Sequence, residues 1–200
     1  AGFHFTPEIL NELKNKGVPR LELTLHVGAG TFRPVLATEI HEHTMHNEHI
    51  YFKTEDIINI LQHDGKITAV GTTSARTLET IYWLGCKIKE QGEVNPESLY
   101  IDQWEDQKLS PLQKNASLET LLKFSEKNNM SYFHANTRLM IIPGYHYQMM
   151  DRMITNFHQP RSTLLLLISS FVGKDWRKVY EYAMKHDFRF LSYGDSSLLI

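Results

Sequence analysis

What most constrains this chain is a repeated switch between two hydrophobic periods. Leu21, Leu23, Leu25 and Val27 alternate with Glu22, Thr24 and His26, the period of a half-buried strand. Before them, Thr6 and Pro7 open a helix with Ile9, Leu10 and Leu13 on one face and Gly17 as its stop. Gly28-Ala29-Gly30-Thr31 reads as a tight turn leading to a short extended run over 32–36. Thr54 caps a helix through Ile57, Ile58 and Leu61 that closes at Asp64 and Gly65. Residues 67–70 are a short buried strand, which gives way at Gly71 to a helix carrying Leu78, Ile81, Tyr82 and Leu84. The polar stretch from Gly85 to about Pro111 reads as an excursion, after which Ser117 caps another amphipathic helix. Residues 139–142 read as a strand ended by Pro143 and Gly144, and 162–173 as a buried helix. Asp175 caps a last helix to Lys185, followed by short strands at 188–190 and 198–200. Strands alternating with helices predict an α/β fold, layered α/β/α around a mainly parallel sheet.

Length and composition bound the function classes. At 200 residues the chain is long enough for a substantial core without covalent staples. Cys86 is the single cysteine, so there is no internal disulfide framework, and a reducing, cytoplasmic setting is expected. The longest apolar run is far short of the roughly 20 residues that cross a bilayer, so no membrane partner is expected. A net charge of −2 argues against holding nucleic acid by bulk electrostatics alone. Eleven histidines are many, and His26, His41, His43, His46 and His49 crowd into one stretch.

Two segments carry the chemistry. His41-Glu42-His43-Thr44-Met45-His46-Asn47-Glu48-His49 gathers imidazoles and carboxylates, the donor types that zinc or non-haem iron takes. The spacing matches no zincin register, so a metal-dependent hydrolase is the alternative reading and a solvated loop the plainer one. Gly71-Thr72-Thr73-Ser74-Ala75-Arg76 places a glycine, three hydroxyls and free N–H groups at a helix N-terminus, where an anion is favoured. Arg76 lies one turn inside and can fork onto a carboxylate or phosphate. An ordinary capped helix with a surface arginine explains the same residues. Tyr145 and Tyr193 each stand beside a glycine, and Asn156 and His158 lead into an apolar helix as a cleft wall would.

Seven motifs then occur in order: Gly2-Phe-His-Phe-Thr6, Leu25-His-Val-Gly-Ala-Gly-Thr-Phe-Arg-Pro-Val35, Glu42-His-Thr-Met-His-Asn-Glu48, Val70-Gly-Thr-Thr-Ser-Ala-Arg-Thr-Leu-Glu79, Pro143-Gly-Tyr145, Thr155-Asn-Phe-His158 with Ser162-Thr-Leu-Leu165, and Arg189-Phe-Leu-Ser-Tyr-Gly-Asp195. Together they resemble the S-adenosylmethionine:tRNA ribosyltransferase-isomerase family of queuosine biosynthesis, over nearly everything but 85–137. The resemblance implies that the chain is the C-terminal portion of the family's α/β domain. An upstream portion and an inserted β-barrel domain would lie outside it.

The family reaction moves the ribosyl unit of S-adenosylmethionine onto the 7-aminomethyl-7-deazaguanine of tRNA, giving epoxyqueuosine and releasing adenine and methionine. By resemblance, the partners are S-adenosylmethionine as co-substrate and a tRNA anticodon loop, with a monomeric protein and no metal. That chemistry needs a base for a proton beside the sulfonium, a donor for the departing adenine and a clamp for the methionine carboxylate. The expectation is that His43, His46 and Glu48 handle protons or orient substrate. Thr72, Thr73 and Arg76 would anchor a polar end of cofactor or substrate, and Tyr145, Asn156, His158, Tyr193 and Asp195 would line the rest of the cleft. The chain departs from the family pattern at Arg138, where an acid is common, at Gln148, where a lysine is common, and at Ser196 and Ser197. A divergent paralogue with another substrate, or one that only binds, is the second alternative.

Overall fold

The computed structural model describes residues 1–26 and 39–200; the turn expected at 28–31 and the extended run at 32–36 lie outside the described residues. Helix α1 spans Pro7–Asn15, with the Thr6 hydroxyl accepting from the Ile9 N–H and Gly17 at φ +69° as the stop. Strand β1 is Thr24–His26 and β2 is Glu48–Lys53. Helix α2, Thr54–Leu61, follows directly. Strand β3, Thr68–Val70, leads through Gly71 into α3, Thr72–Gln91. Then come β4 (Leu99–Ile101), α4 (Lys114–Lys127), β5 (Tyr132–Thr137) and β6 (Arg152–Asn156). Helices α5 (Thr163–Val172) and α6 (Trp176–Lys185) precede the closing strand β7, Ser196–Leu199.

The α/β class holds, but among the described residues the strands form two mixed sheets in place of one mainly parallel sheet. One has the order β1-β2-β5-β4, the other β3-β6-β7. Among the described residues only the β4–β5 and β3–β6 ladders are parallel; β1–β2, β2–β5 and β6–β7 are antiparallel. Alternation decides what each strand buries. Glu48, Ile50 and Phe52 on β2 and Phe133, Ala135 and Thr137 on β5 point inward, while His49, Lys53, Tyr132 and His134 are exposed. Phe52 and Phe133 stack at the centre, 4.7 Å apart and 5° from parallel.

Helix α3 is the spine of the molecule. Its buried residues run from Thr72 to Ile88, so the sequence from Gly85 onward begins as buried helix, and 85–137 as a whole supplies α4 and two strands of the four-stranded sheet. The polar look of 85–111 reflects the exposed ends of short elements, which carry too few apolar positions to show a period. Gly85 permits the close crossing of α3 and α4: a Cβ there would lie 2.2 Å from Ser117 Oγ and 2.3 Å from its carbonyl oxygen. Ser117 is therefore an interior residue of α4, its hydroxyl donating to the Tyr82 carbonyl at 2.6 Å, and not a cap.

Other expected features shift for similar reasons. Thr54 starts α2 but sends its hydroxyl to the Met130 carbonyl, while Asp56 accepts from the Lys53 N–H. Residues 139–142 are buried or nearly so yet belong to no strand, and β5 takes the place in the sheet. Residues 188–190 are likewise irregular. Asp175 precedes α6 without a capping hydrogen bond and pairs with Lys178 at 2.7 Å. The helix at Thr163–Val172 is capped by Ser162, which accepts from the Leu165 N–H, and ends at Gly173, φ +67°.

Candidate functional site

The start of α3 meets both sheets, Gly71 bonding β6 and Arg76 bonding β2. Gly71 takes φ +94°, a conformation that favours glycine, and donates its N–H to the Ile154 carbonyl of β6 at 2.7 Å. The turn thus sits at the carboxyl ends of the parallel strands β3 and β6, the usual place for ligands in open α/β sheets. Thr72 is buried and Thr73 half-buried at the helix start, and Ser74 turns its hydroxyl back to the Val70 carbonyl at 2.9 Å.

One turn on, Arg76 reaches β2. Its Nη1 donates to Glu48 Oε2 at 2.8 Å, and the other carboxylate oxygen, Oε1, accepts from His46 Nε2 at 3.0 Å. The Arg76 and Glu48 side chains are 3% and 0% exposed, against 24% for His46. The chain therefore runs from a buried cation through a buried carboxylate to an imidazole at the surface. A carboxylate only accepts, so Nε2 carries the proton and Nδ1 the lone pair in neutral His46. This is the arrangement of a proton-handling imidazole oriented by an acid. Arg76 Nε is buried and has no hydrogen-bond partner among the described residues, so a second donor stays unsatisfied beside the pair.

His43 lies on the same loop. Burial, and then the neighbouring His46, hold its pKa below the ordinary imidazole value. The loop is tied from outside: Gln103 Nε2 donates to the His43 carbonyl at 2.6 Å, Met45 N–H donates to Gln103 Oε1 at 2.9 Å, and Arg138 Nε donates to the Met45 carbonyl at 2.8 Å. His41 leans on Trp104, ring centroids 5.1 Å apart. His49 faces outward, opposite His26 across the β1–β2 ladder. The histidine run is thus divided among a 3-10 turn at Ile40–Glu42, the irregular loop 43–47 that carries His43 and His46, and the outer face of β2. Among the described residues no three His, Cys, Asp or Glu side chains converge as metal ligands would.

The remaining expected residues divide. His158 accompanies the end of β6: its Nε2 is 3.0 Å from Thr155 Oγ1, its N–H donates to the Tyr180 hydroxyl, and burial pulls its pKa down to about 4. Asn156 is buried and donates to the Gly194 carbonyl at 2.9 Å, which also meets His4 Nε2 at 2.9 Å. These contacts tie the glycine of the Tyr193–Gly194–Asp195 turn to the end of β6. Three residues do not line an open cleft in this structure. Tyr145 turns its hydroxyl inward to Glu79 Oε2 at 2.9 Å and accepts from Trp83 Nε1 at 2.8 Å. Asp195 is held by the Arg189 side chain at 2.9 Å and by its backbone N–H at 2.7 Å, which keep its pKa low. Tyr193 is 85% exposed and stacks on Phe3.

Sequence reasoning missed Glu79 and Gln103. Glu79 is fully buried and accepts from the Tyr145 hydroxyl and the Gln148 and Met149 N–H groups, while burial pushes its pKa up. Its place three residues after Arg76, on the same helix face, was the available signal. Gln103 had none, lying in a polar stretch far along the chain.

These features define the class: an α/β protein with a buried Arg–Glu pair leading to a half-buried histidine beside a glycine turn at the parallel strand ends. The chain belongs to the family described as queuosine biosynthesis protein, whose model matches residues 1–199. It is 38% identical over its full length to the S-adenosylmethionine:tRNA ribosyltransferase-isomerases of Thermotoga petrophila and of Caldanaerobacter subterraneus subsp. tengcongensis, covering 48% of each. The crystal structure of the S-adenosylmethionine tRNA ribosyltransferase of Thermotoga maritima is similar, with a TM-score of 0.62 and 30% identity, over all of this chain and 51% of that one. The chain spans about half the length of these relatives. Among the described residues no helix is long and apolar enough to cross a membrane.

Proposed function

We propose that this chain carries part of the site that transfers and isomerises the ribosyl moiety of S-adenosylmethionine onto the 7-aminomethyl-7-deazaguanine of a tRNA anticodon loop, giving epoxyqueuosine. The observation that carries this reading is the His46–Glu48–Arg76 chain at the start of α3, in a member of the queuosine family. In the proposal residues 1–200 are the C-terminal portion of the α/β domain, and the remaining polypeptide adds the rest of the domain and an inserted β-barrel. His46, oriented by Glu48, moves the proton beside the sulfonium. His43, kept neutral near pH 7 by its lowered pKa, supplies a second imidazole on the same loop. Thr72, Thr73 and the α3 N–H groups face an anionic end, and the unsatisfied Arg76 Nε is a donor that a ligand carboxylate would satisfy. Asn156 and His158 hold the far wall at the end of β6.

The test is mass spectrometry of queuosine-deficient tRNA incubated with S-adenosylmethionine and the complete polypeptide bearing this chain. Epoxyqueuosine is the expected product. Its absence, with S-adenosylmethionine still bound, would favour a divergent paralogue.

A further inference from the structure

The loop carrying His43 and His46 has no regular secondary structure between residues 43 and 47, so nothing in its own backbone pattern fixes where the imidazoles stand. Glu48 bonds the His46 ring, and the loop backbone itself is tied by the segment beyond β4 and by the residue after β5. The Gln103 side chain is buried, 6% exposed, and spends both ends of its carboxamide on the loop backbone. Its donor meets the His43 carbonyl at 2.6 Å and its acceptor meets the Met45 N–H at 2.9 Å, one residue either side of Thr44. That pairing reads the loop as a neighbouring strand would, and it admits only one orientation of the amide. Gln103 is itself anchored: its N–H donates to Asp102 Oδ1 at 2.8 Å and its carbonyl accepts from the Met140 N–H at 3.1 Å. Arg138 adds a third tether, Nε to the Met45 carbonyl at 2.8 Å, with Nη1 3.7 Å from Asp102. The Met45 side chain, 1% exposed, is packed beneath.

We infer that Gln103 is a positioning residue for His43 and His46, acting through the loop backbone and seconded by Arg138. The inference rests on the proposed proton-handling role of those histidines. It also gives Arg138 a role, since its guanidinium bonds the Met45 carbonyl of the loop. Both side-chain hydrogen bonds of Gln103 go to the loop backbone, so its effect belongs to the geometry of the reacting groups and not to substrate affinity.

The experiment uses the complete polypeptide with three variants: Gln103→Met, which keeps the shape and loses both bonds; Gln103→Glu, which keeps the acceptor for Met45 and loses the donor; and Arg138→Met as a milder change. Displacing a reacting group by about 1 Å costs on the order of 100-fold. The expected result is a kcat lowered roughly ten- to 100-fold in Gln103→Met, less in Arg138→Met, with KM for S-adenosylmethionine and for tRNA within about twofold of wild type. Imidazole NMR titration supplies a reading independent of turnover: in Gln103→Met the His43 pKa rises towards the ordinary imidazole value as the loop loosens. Hydrogen exchange at the Met45 N–H accelerates in Gln103→Met and stays slow in Gln103→Glu. Unchanged kcat in a folded Gln103→Met, or a loss confined to KM, would overturn the inference. If the wild type forms no epoxyqueuosine, the transferase reading fails by itself; unchanged His43 and His46 signals in Gln103→Met would then overturn the positioning role separately.

Discussion

At the residue scale the energetics centre on Glu48. A carboxylate with no exposure is tolerable because Arg76 and His46 bond its oxygens. Removing one partner strands a buried charge, so Arg76→Met is expected to cost about 3–5 kcal/mol in urea unfolding. The double variant Glu48→Gln, Arg76→Met should cost less than the sum of the two single changes, because neither charge is then left alone. His158 predicts a pH dependence. Its folded pKa, about 4, lies below the ordinary imidazole value, so the unfolded chain binds more protons between them. Stability is then present above about pH 6.5 and falls as the pH drops towards 4, by at most about 1.4 kcal/mol per pH unit from this group. His158→Asn should flatten that part of the stability–pH curve in denaturant titrations. The residue types at the site are legible in the sequence, Thr72, Arg76, His46 and Glu48 among them. Their partners are not. Tyr145 beside Gly144 looks like an open stacking platform in one dimension, and only the fold shows its hydroxyl claimed by Glu79.

At the scale of elements, caps and stops are legible where the signal is local. Thr6, Ser162, Gly17 and Gly173 act within three or four residues of their own position. Thr54 and Ser117 mislead because their hydroxyls bond distant carbonyls, Met130 and Tyr82. Gly85 shows the same limit: in sequence it marks a break, and in the structure it is the contact point of two helices. Gly85→Ala should gain about 1 kcal/mol of helix propensity. It loses more by driving a Cβ into the Ser117 backbone, where overpacking costs about 1–3 kcal/mol and a lowered melting temperature is the measurable result. Strand β5 is hidden in the sequence for a related reason. Tyr132 on its outer face is a large aromatic and Thr137 on its inner face is polar, so the alternation is blurred at both ends.

At the scale of the whole molecule, the expected outcome is that residues 1–200 alone give no epoxyqueuosine in the tRNA assay, whereas the complete polypeptide does; turnover by the shorter chain would contradict the proposed split of the α/β domain. By itself the sequence determined the α/β class, the helix built on Gly71 and the family to which the chain belongs, because each rests on short-range pattern: period, cap and motif. Tertiary structure alone decided that the described strands form two mixed sheets, that Glu48 is the buried hinge between Arg76 and His46, and that Gln103 bonds the histidine loop from 58 and 60 residues away. Those facts depend on which groups, once buried, find partners for their hydrogen bonds and charges. A chain settles that only when its distant segments pack together.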